Sequence, residues 1–346
     1  TTLQGVSVFP ADHPLHTGFG FGPAAVPAAR ESFKHCDCLL AVGTRFGEIA
    51  TGSFGVKVPE NLIHVDINPE VFNANYPARV AVAADARVAL RALLKFLPER
   101  AAEAARSGQR IARIAELKRA YQQDWLEHDS GERVNPGRFF LSLRERLPRD
   151  GLVVVDDGNH TYLAAELMPV YEPGGFISPT DFNCMGYSVP AAIGAKLARP
   201  DKDVAVIVGD GCFAMTCMEI ATAARLGLGV MYFVFNDGEL SQIAQAQEIP
   251  YNRKPCTELP HLDFESLARG FGAEFVAMPD NDSVAAGVER AFTAAATGRP
   301  VVVDVRIDYS KRTAFTQGIV KTNLKRLDLG TKFRFVSRAL KRRVTG

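Results

Sequence analysis

One stretch, residues 204–239, constrains the fold of this chain more than any other. It opens with residues 204–208, a continuous apolar and mostly β-branched run of the kind that a strand buried on both faces requires. The Gly-Asp-Gly at residues 209–211 interrupts that run, because glycines allow a tight turn and a close approach of the backbone to a ligand. A helical segment and a second apolar strand, residues 230–235, come next, before an Asn-Asp-Gly turn. This β-loop-α-β unit predicts parallel neighbouring strands and an α/β fold.

Two carboxylates follow the two strands of this unit. Asp210 and Asp237 each come directly after a strand, so we expect both at the carboxyl edge of the sheet, where open α/β sheets bind ligands. Carboxylate and carbonyl oxygens suit a hard cation, which here is most simply Mg²⁺ shared with ligand phosphates, and Glu239 completes the predicted metal site. The helix that starts beside Gly211 would direct its first N–H groups at the same phosphates. A lone Gly-Asp-Gly is typical of an ordinary turn, whereas the whole combination indicates a phosphate and cation site.

Composition limits the class of protein. With 346 residues and 47% hydrophobic content, the chain can form two domains with proper cores. A net charge of +1 predicts no general attraction to nucleic acid or membrane, and no apolar run reaches the roughly 18 residues of a membrane span. The six cysteines follow no regular framework, and no signal peptide is evident, which predicts free thiols in a reducing cytoplasm. Cys36 and Cys38 are interpreted as buried small hydrophobic residues rather than half of a zinc site.

The motif around Asp210 and Asp237 resembles the diphosphate-binding motif of thiamine diphosphate (ThDP) enzymes, in which Gly-Asp-Gly is followed further along by Asn-Asn. The chain is most similar to the acetolactate synthase branch, which includes glyoxylate carboligase and related 2-keto acid decarboxylases, from Thr1 to about Asp308. The resemblance implies ThDP- and Mg²⁺-dependent decarboxylation of a 2-keto acid, followed by carboligation or protonation. Asp237 replaces the second Asn of the motif, which keeps an oxygen ligand and adds charge.

The resemblance also implies roles for individual residues. Asn159 and His160 are similar to the family's Gln-His pair that holds the diphosphate; the alternative is that His160 caps the next helix. Residues 183–194 resemble a run in which Met185 would bend the cofactor, instead of merely filling the core, and the Asn183 carbonyl would accept a hydrogen bond from it. The complete predicted cofactor set is Asn159, His160, Asn183, Met185, Gly209, Asp210, Gly211, Cys212, Asp237 and Glu239.

Two positions of the next predicted helix bear on the substrate. Ala246 stands where acetolactate synthase carries a Trp that narrows the acceptor site, and Gln242 stands where an apolar Met is expected. These changes widen or polarise the substrate pocket. The identities of the donor and acceptor substrates therefore stay open. The reaction is either acetolactate synthase-like or like that of glyoxylate carboligase or another 2-keto acid decarboxylase.

The resemblance implies two α/β domains with mostly parallel sheets flanked by helices. We expect a central, nucleotide-binding-like domain over residues 1–98, a helical linker over 99–133, the diphosphate-binding domain over 134–308 and a basic tail over 309–346, which packs across a subunit or stays solvated. In the central domain we predict buried strands at 38–43 and 62–67. Their loops, with the glycines at positions 18, 20 and 22, imply either bound FAD or a domain kept only as scaffold.

The family's activating glutamate comes from a pyrimidine-binding domain that nothing in residues 1–346 matches. We therefore expect this chain to bind the diphosphate but not to turn over alone. One alternative is a split enzyme whose partner chain supplies the glutamate, and another is a non-catalytic nucleotide-binding protein. A dehydrogenase is disfavoured, because no G-x-G-x-x-G opens a helix after a strand. The family assembles with cofactor at a subunit interface, which implies a homo-oligomer acting on small molecules.

Overall fold

The computed structural model describes residues 1–97, 104–180, 182–331, 333, 334 and 337. The chain forms two compact units. The first comprises residues 1–5, 13–121 and 314–325, and the second comprises residues 6–12, 122–313 and 326–346. The beginning of the predicted linker and the end of the predicted tail lie outside the described residues.

The first unit contains a three-stranded parallel sheet in the order β1-β2-β3. Its strands are β1 (Cys38–Val42), β2 (Asn61–Asp66) and β3 (Val80–Ala83). Its helices are α1 (Pro27–Lys34), α2 (Ala86–Leu94), most of α3 (Ala104–Leu126) and, from the far end of the chain, α12 (Ala314–Arg326).

The prediction that β1 is a buried strand is wrong. Only Ala41 of its five residues is buried, because β1 is an edge strand of the small sheet. The interpretation of the two neighbouring thiols as buried is also wrong, since Cys38 is exposed and Cys36 is half-buried. Cys36 donates its thiol proton to the Cys38 carbonyl at 3.1 Å, so the pair makes a local contact at the sheet edge.

The second unit is built on a six-stranded, entirely parallel sheet in the order β5-β4-β6-β7-β9-β8. The strands are β4 (Leu152–Val155), β5 (Phe176–Ile177), β6 (Val204–Gly209), β7 (Val230–Phe235), β8 (Glu274–Met278) and β9 (Val301–Val305). The helices are α4 (Pro136–Arg146), α5 (Asn159–Leu167), α6 (Ser188–Ala198), α7 (Asp210–Thr216), α8 (Ile220–Arg225), α9 (Ser241–Tyr251), α10 (Phe264–Gly270) and α11 (Val284–Ala296). The prediction of an α/β fold with parallel sheets is confirmed.

The central strands β6 and β7 are buried along their whole length, as their continuous apolar sequences require. Alternate side chains of β7 point to opposite faces of the sheet. Tyr232 and Val234 belong to the cluster that includes residues of α6 and α10. Phe235 packs on the other face, where its ring centroid lies 4.9 Å from that of Phe139 in α4. Both faces are therefore covered, and the sheet is a rigid platform for the loops at the carboxyl ends of its strands.

The strand order places a topological switch point between β4 and β6. The chain leaves β4 toward β5 on one side and continues from β6 toward β7 on the other. The loops after β4 and β6 therefore separate and leave a crevice at the carboxyl edge of the sheet. None of the described helices combines the length and apolar character that a membrane span needs.

Candidate functional site

A cavity opens at this switch point, with about 510 Å³ of empty space counted together with its open mouth. It is lined by the segments that extend from β4, β6 and β7, together with the start of α9 and Tyr309. Among the residues predicted for cofactor, metal or substrate, those that line it are Asn159, His160, Met185, Gly209, Asp210, Gly211, Cys212, Asp237, Glu239 and Gln242. Two predicted residues, Asn183 and Ala246, do not belong to this lining.

Asp210 is the first residue of α7, directly after β6 ends, and it is almost fully buried. Its carboxylate accepts three main-chain hydrogen bonds, from Gly211 at 2.7 Å, Gly238 at 2.8 Å and Asp237 at 3.2 Å. Burial raises the pKa of Asp210 above its usual value, and these donors lower it again in part. The contacts bring the loops after β6 and β7 together, so the two predicted carboxylates are neighbours.

Asp237 lies in the loop after β7 and accepts a hydrogen bond from the Ser241 hydroxyl at the start of α9. Burial raises its pKa to about 7; the hydrogen bond from Ser241 acts in the opposite direction, and the nearby Asp210 raises the pKa further. Two neighbouring carboxyl groups, one buried and one half-buried, are stabilised as anions by a cation between them. Oxygen ligands of this kind suit Mg²⁺.

Glu239 lines the same cavity, but its carboxylate is engaged elsewhere. It accepts a hydrogen bond from the Thr257 hydroxyl at 3.0 Å and forms an ion pair with Lys254 at 3.3 Å. In this arrangement both carboxylate oxygens of Glu239 already have a partner in the loop after α9. What Glu239 can offer a cation between Asp210 and Asp237 is its main-chain carbonyl oxygen.

Asn159 and His160 form the first turn of α5. The Asn159 side-chain N–H₂ group and the His160 Nε2 atom are buried in the cavity wall and have no hydrogen-bond partner among the described residues. Burial lowers the pKa of His160 to about 4, against the opposing charge of Asp156, so the imidazole is neutral. An unpartnered amide donor at a helix N-terminus is the arrangement expected for binding an anion.

Two glycines pack against the His160 ring. A Cβ atom on Gly158 would lie 2.6 Å from its Cε1 atom, and one on Gly209 would lie 3.0 Å from the same atom. Gly158 also has a φ of 153°, which disfavours a side chain. On the other wall, a Cβ on Gly211 would lie 3.5 Å from the terminal methyl of Met185. Gly158 and Gly209 therefore leave room for the His160 ring, and Gly211 leaves room for Leu240 and Met185.

Cys212 follows Gly211, is buried, and donates its thiol proton to the Asp157 carbonyl at 3.2 Å. Burial raises the pKa of its thiol far above the usual value. The side chain is therefore a neutral thiol, which suits a packing or weak donor role rather than that of a nucleophile.

Met185 packs against the core cluster while it lines the cavity, so it joins the core to the site. Asn183, two residues earlier, is exposed and has a φ of 55°. Asn is one of the few non-glycine residues that adopt this left-handed conformation readily. That explains why Asn can stand where the resemblance places Gly.

The two predicted substrate residues differ in position on α9. Gln242 lies in the first turn and lines the cavity, where its side-chain oxygen is buried with no hydrogen-bond partner among the described residues. Ala246 lies one turn further along and is exposed, outside the cavity lining. Of these two changes, only the polar one bears directly on this cavity.

Sequence reasoning missed several residues of the site. The Asp156 carboxylate accepts main-chain hydrogen bonds from Gly186 at 2.8 Å and Ser188 at 2.7 Å, which ties the end of β4 to the loop that carries Met185. The sequence could have indicated Asp156, because an Asp-Asp pair follows directly after the β4 strand. Tyr309 also lines the cavity, and burial together with nearby carboxylates raises its pKa well above the usual value. Nothing in the local sequence indicates that position.

The loops predicted to hold a nucleotide in the first unit use their polar groups internally. The Asp66 carboxylate accepts from the Asn68 N–H at 2.9 Å, and His64 is hydrogen-bonded to the Thr44 carbonyl at 2.7 Å. Phe46 is buried between the His64 and Tyr76 rings. This packing gives no observation that favours FAD over a scaffold role, so FAD stays a prediction.

Relatives were found for most of the chain. Residues 1–93 match the model of the thiamine pyrophosphate enzyme central domain, and residues 156–305 match that of the C-terminal TPP binding domain. The acetolactate synthase large subunit of Corynebacterium glutamicum is 30% identical over 311 residues, which are 88% of this chain and 49% of that protein. The probable acetolactate synthase large subunit of Methanocaldococcus jannaschii is 32% identical over 321 residues, 89% of this chain and 52% of that protein.

A relative named for a different activity is equally similar. The probable 2-ketoarginine decarboxylase of Pseudomonas aeruginosa is 32% identical over 275 residues, 79% of this chain and 47% of that protein. The chain spans about half the length of the curated relatives that it matches. The first domain match falls mainly in the first compact unit and the second match falls in the second unit, which contains the cavity described above. The chain therefore belongs to the thiamine pyrophosphate enzymes and carries their central and C-terminal TPP-binding domains.

Proposed function

We propose that the cavity binds ThDP together with Mg²⁺ for the decarboxylation and carboligation of 2-keto acids, in an acetolactate synthase-like reaction. The observation that carries the proposal is the pair of neighbouring carboxylates, the buried Asp210 and the half-buried Asp237, joined through the hydrogen bond from the Asp237 N–H to Asp210. They lie at the switch point, beside an amide donor of Asn159 that has no partner among the described residues. A diphosphate bridged by a divalent cation satisfies both features at once.

The residues present fit this cofactor. Asp210, Asp237 and the main-chain carbonyl of Glu239 would hold Mg²⁺, whereas Asn159, His160, Gly209 and Gly211 would contact the diphosphate. When bound, ThDP supplies the electron sink for loss of CO₂ from a 2-keto acid. The chain's own contribution is orientation: Asp156 fixes the loop of Met185, and Met185 and Gly211 approach each other across the cavity.

The donor and acceptor substrates are not yet assigned, and two main classes of reaction are candidates. The relatives include acetolactate synthases and a probable 2-ketoarginine decarboxylase, which leaves both carboligation and simple decarboxylation of a 2-keto acid as candidates. A reaction like that of glyoxylate carboligase stays an alternative, because Ala246 stands where acetolactate synthase carries a Trp and the glyoxylate carboligase branch also lacks that Trp. A further alternative is a diphosphate-binding subunit that acts with a partner chain carrying the activating glutamate.

We further propose a homo-oligomer that acts in the cytoplasm on small molecules and not on nucleic acid or membranes. Exposed apolar side chains in the loop before Met185 and in the segment after Asp210 support the oligomer: Phe182 is 89% exposed, and Met215 and Met218 are each 53% exposed. The six free cysteines support a reducing compartment. FAD in the first unit remains an expectation from the resemblance alone.

The test is calorimetric titration of ThDP into the metal-free chain, with and without Mg²⁺. We expect binding that requires Mg²⁺ and that weakens by at least about 100-fold in Asp210→Ala, since that change removes a charged ligand. Asp282→Ala, which removes an exposed carboxylate from the loop before α11, is the matched control and should bind like the parent chain. Binding that needs no Mg²⁺, or that Asp210→Ala leaves unchanged, would overturn the proposal.

A further inference from the structure

Ser241, the first residue of α9, holds the Asp237 carboxylate in place. Its hydroxyl donates a hydrogen bond to the Oδ2 atom of Asp237, and its side chain is buried in the wall of the cavity. The main-chain N–H of Glu239 is a further donor to the same carboxylate. With Oδ2 engaged by the hydroxyl, Asp237 offers a cation a single oxygen atom rather than both.

The Asp210 carboxylate is restricted in the same sense, but by the main chain. An ionised carboxylate has about four lone-pair sites on its two oxygen atoms. On Oδ2 of Asp210 two sites are used, by the N–H groups of Asp237 and Gly238, and on Oδ1 one site is used by the N–H group of Gly211. The site left for a cation is on Oδ1, so Asp210 also binds through one oxygen.

The number of oxygens that each carboxylate supplies separates Mg²⁺ from Ca²⁺. Mg²⁺ requires near-octahedral geometry at short distances, with about six ligands, and several of these are phosphate oxygens or water. Ca²⁺ is larger, takes about six to eight oxygens and readily accepts both oxygens of one carboxylate. Two carboxylates that each supply one oxygen, with the main-chain carbonyl of Glu239, leave about three octahedral positions for diphosphate and water. This arrangement matches the requirements of Mg²⁺ better than those of Ca²⁺.

On the basis of the proposed function, we propose that Ser241 determines metal selectivity: its hydrogen bond keeps Asp237 a single-oxygen ligand and thereby favours Mg²⁺ over Ca²⁺. Without the hydroxyl, Asp237 can turn to offer both oxygens, which benefits Ca²⁺ and not Mg²⁺. The restraint on Asp210 comes from the main chain and stays in place when Ser241 is changed. Ser241 is thus a positioning residue, since it contacts a metal ligand and not the metal.

The experiment measures the affinities for Mg²⁺ and Ca²⁺ by calorimetric titration of each metal into the metal-free chain in excess ThDP. The heat of each metal binding to free ThDP is subtracted. In Ser241→Ala we expect the Mg²⁺ affinity to fall about ten-fold, as is typical when a residue that orients a metal ligand is lost. The Ca²⁺ affinity should change by less than about two-fold, so the ratio of the two affinities shifts toward Ca²⁺ by about five-fold or more.

Ser266→Ala is the matched control. The Ser266 hydroxyl also donates to an aspartate, Asp263, at 2.6 Å, but both residues are exposed at the start of α10 and lie outside the cavity lining. This variant should keep the parent's ratio of affinities. An equal fall for both metals in Ser241→Ala, or no fall for either, would overturn the inference while metal-dependent ThDP binding, and with it the proposed function, stands.

Absence of metal-dependent ThDP binding by the parent chain would instead refute the proposed function, and the inference with it. Should Ser241→Ala not fold, Ser241→Thr and Ser241→Val make the same comparison, because they introduce side chains of nearly equal shape that differ in the hydroxyl. The first should keep the parent's ratio of affinities, and the second should shift it toward Ca²⁺. Equal ratios in these two variants would overturn the inference.

Discussion

At the scale of single residues, the site holds charge that the protein alone stabilises poorly. Asp237 is the clearest case, because burial raises its pKa to about 7 and the neighbouring Asp210 contributes in the same direction. A raised pKa means that ionising Asp237 in the folded chain costs free energy. A cation between the two carboxylates would remove that penalty, so the arrangement is suited to binding a cation rather than to stabilising the fold by itself.

The first prediction concerns this penalty in the metal-free chain. An aspartate in the unfolded chain has a pKa of about 3.9, so between about pH 4 and pH 7 the folded state retains a proton that the unfolded state has lost. Stability therefore falls as pH rises through this range. Asp237→Asn, which is neutral throughout, should raise the free energy of unfolding by roughly 2–4 kcal/mol at pH 8 and by little below pH 4.

Urea unfolding at several pH values in the presence of a chelator measures this difference. Asp282→Asn serves as the control, because it removes an equal charge from an exposed position. A difference between Asp237→Asn and the parent chain that is the same at pH 4 and pH 8 would contradict the prediction.

Much of the site could be predicted at this scale, but not the direction of every side chain. Asp210 and Asp237 follow buried strands, and that spacing alone is enough to bring them to one sheet edge. The Glu239 carboxylate was not predictable in the same way, because its partners Lys254 and Thr257 lie beyond the next helix. The exposed position of Ala246 likewise depends on how α9 is rotated, which the sequence pattern leaves undetermined.

At the scale of elements, the site depends on how closely the helices and strands approach one another. Gly229 precedes β7, and a Cβ atom placed on it would lie 1.9 Å from the Ala295 carbonyl oxygen in α11. The contact is with backbone, which cannot rotate away as a flexible side chain can. This glycine therefore sets the approach of α11 to the strand that leads to Asp237.

The second prediction compares two Gly→Ala changes in the same unit. Gly229→Ala should lower the free energy of unfolding by about 3 kcal/mol, because backbone must move to relieve the overlap. Gly194→Ala in α6 should raise it by about 0.5–1 kcal/mol, since no described atom lies within 4 Å of the added Cβ and alanine favours the helix. Denaturant unfolding of both variants measures the changes, and a similar shift in the same direction for both would refute the packing argument.

The long central elements could be predicted directly from the sequence, and the short or broken ones could not. The strands β6 and β7 have nearly the residue bounds expected from their apolar runs. The helix expected after Gly211 is instead divided into α7, a 3₁₀ turn at Cys217–Glu219 and α8. The strands β3 and β5 were not predicted: β5 has only two residues, and β3 is a short edge strand that is mostly exposed.

At the scale of the whole molecule, chain order and spatial order differ. Residues 314–325, in the region expected to be a basic tail, belong to the first compact unit. Phe315 of α12 is buried with its ring centroid 5.0 Å from that of Phe19, and Gly318 lies directly against Ala24. The basic composition of residues 309–346 as a whole suggested a solvated or intersubunit tail, because the apolar residues of this segment have no visible partner in the local sequence.

The third prediction is that this segment completes the core of the first unit. A chain that ends at residue 313 should lose roughly 3–5 kcal/mol of stability in that unit, since the buried Phe315 ring is removed. Hydrogen exchange should become faster around Phe19 and in α1, while β6 and β7 stay protected. A chain that ends at residue 326 retains α12 and should match the parent; equal loss of protection in both units would show that the segment has no specific place.

The central claim is that a divalent cation joins Asp210 and Asp237 to the diphosphate of ThDP. The most direct measurement is a crystal structure of the chain grown with ThDP and Mn²⁺ in place of Mg²⁺, with anomalous scattering used to locate the metal. We expect one strong peak bonded to carboxylate oxygens of both Asp210 and Asp237 and to the diphosphate, beside Asn159. A diphosphate bound elsewhere, or a metal that contacts neither carboxylate, would contradict the claim.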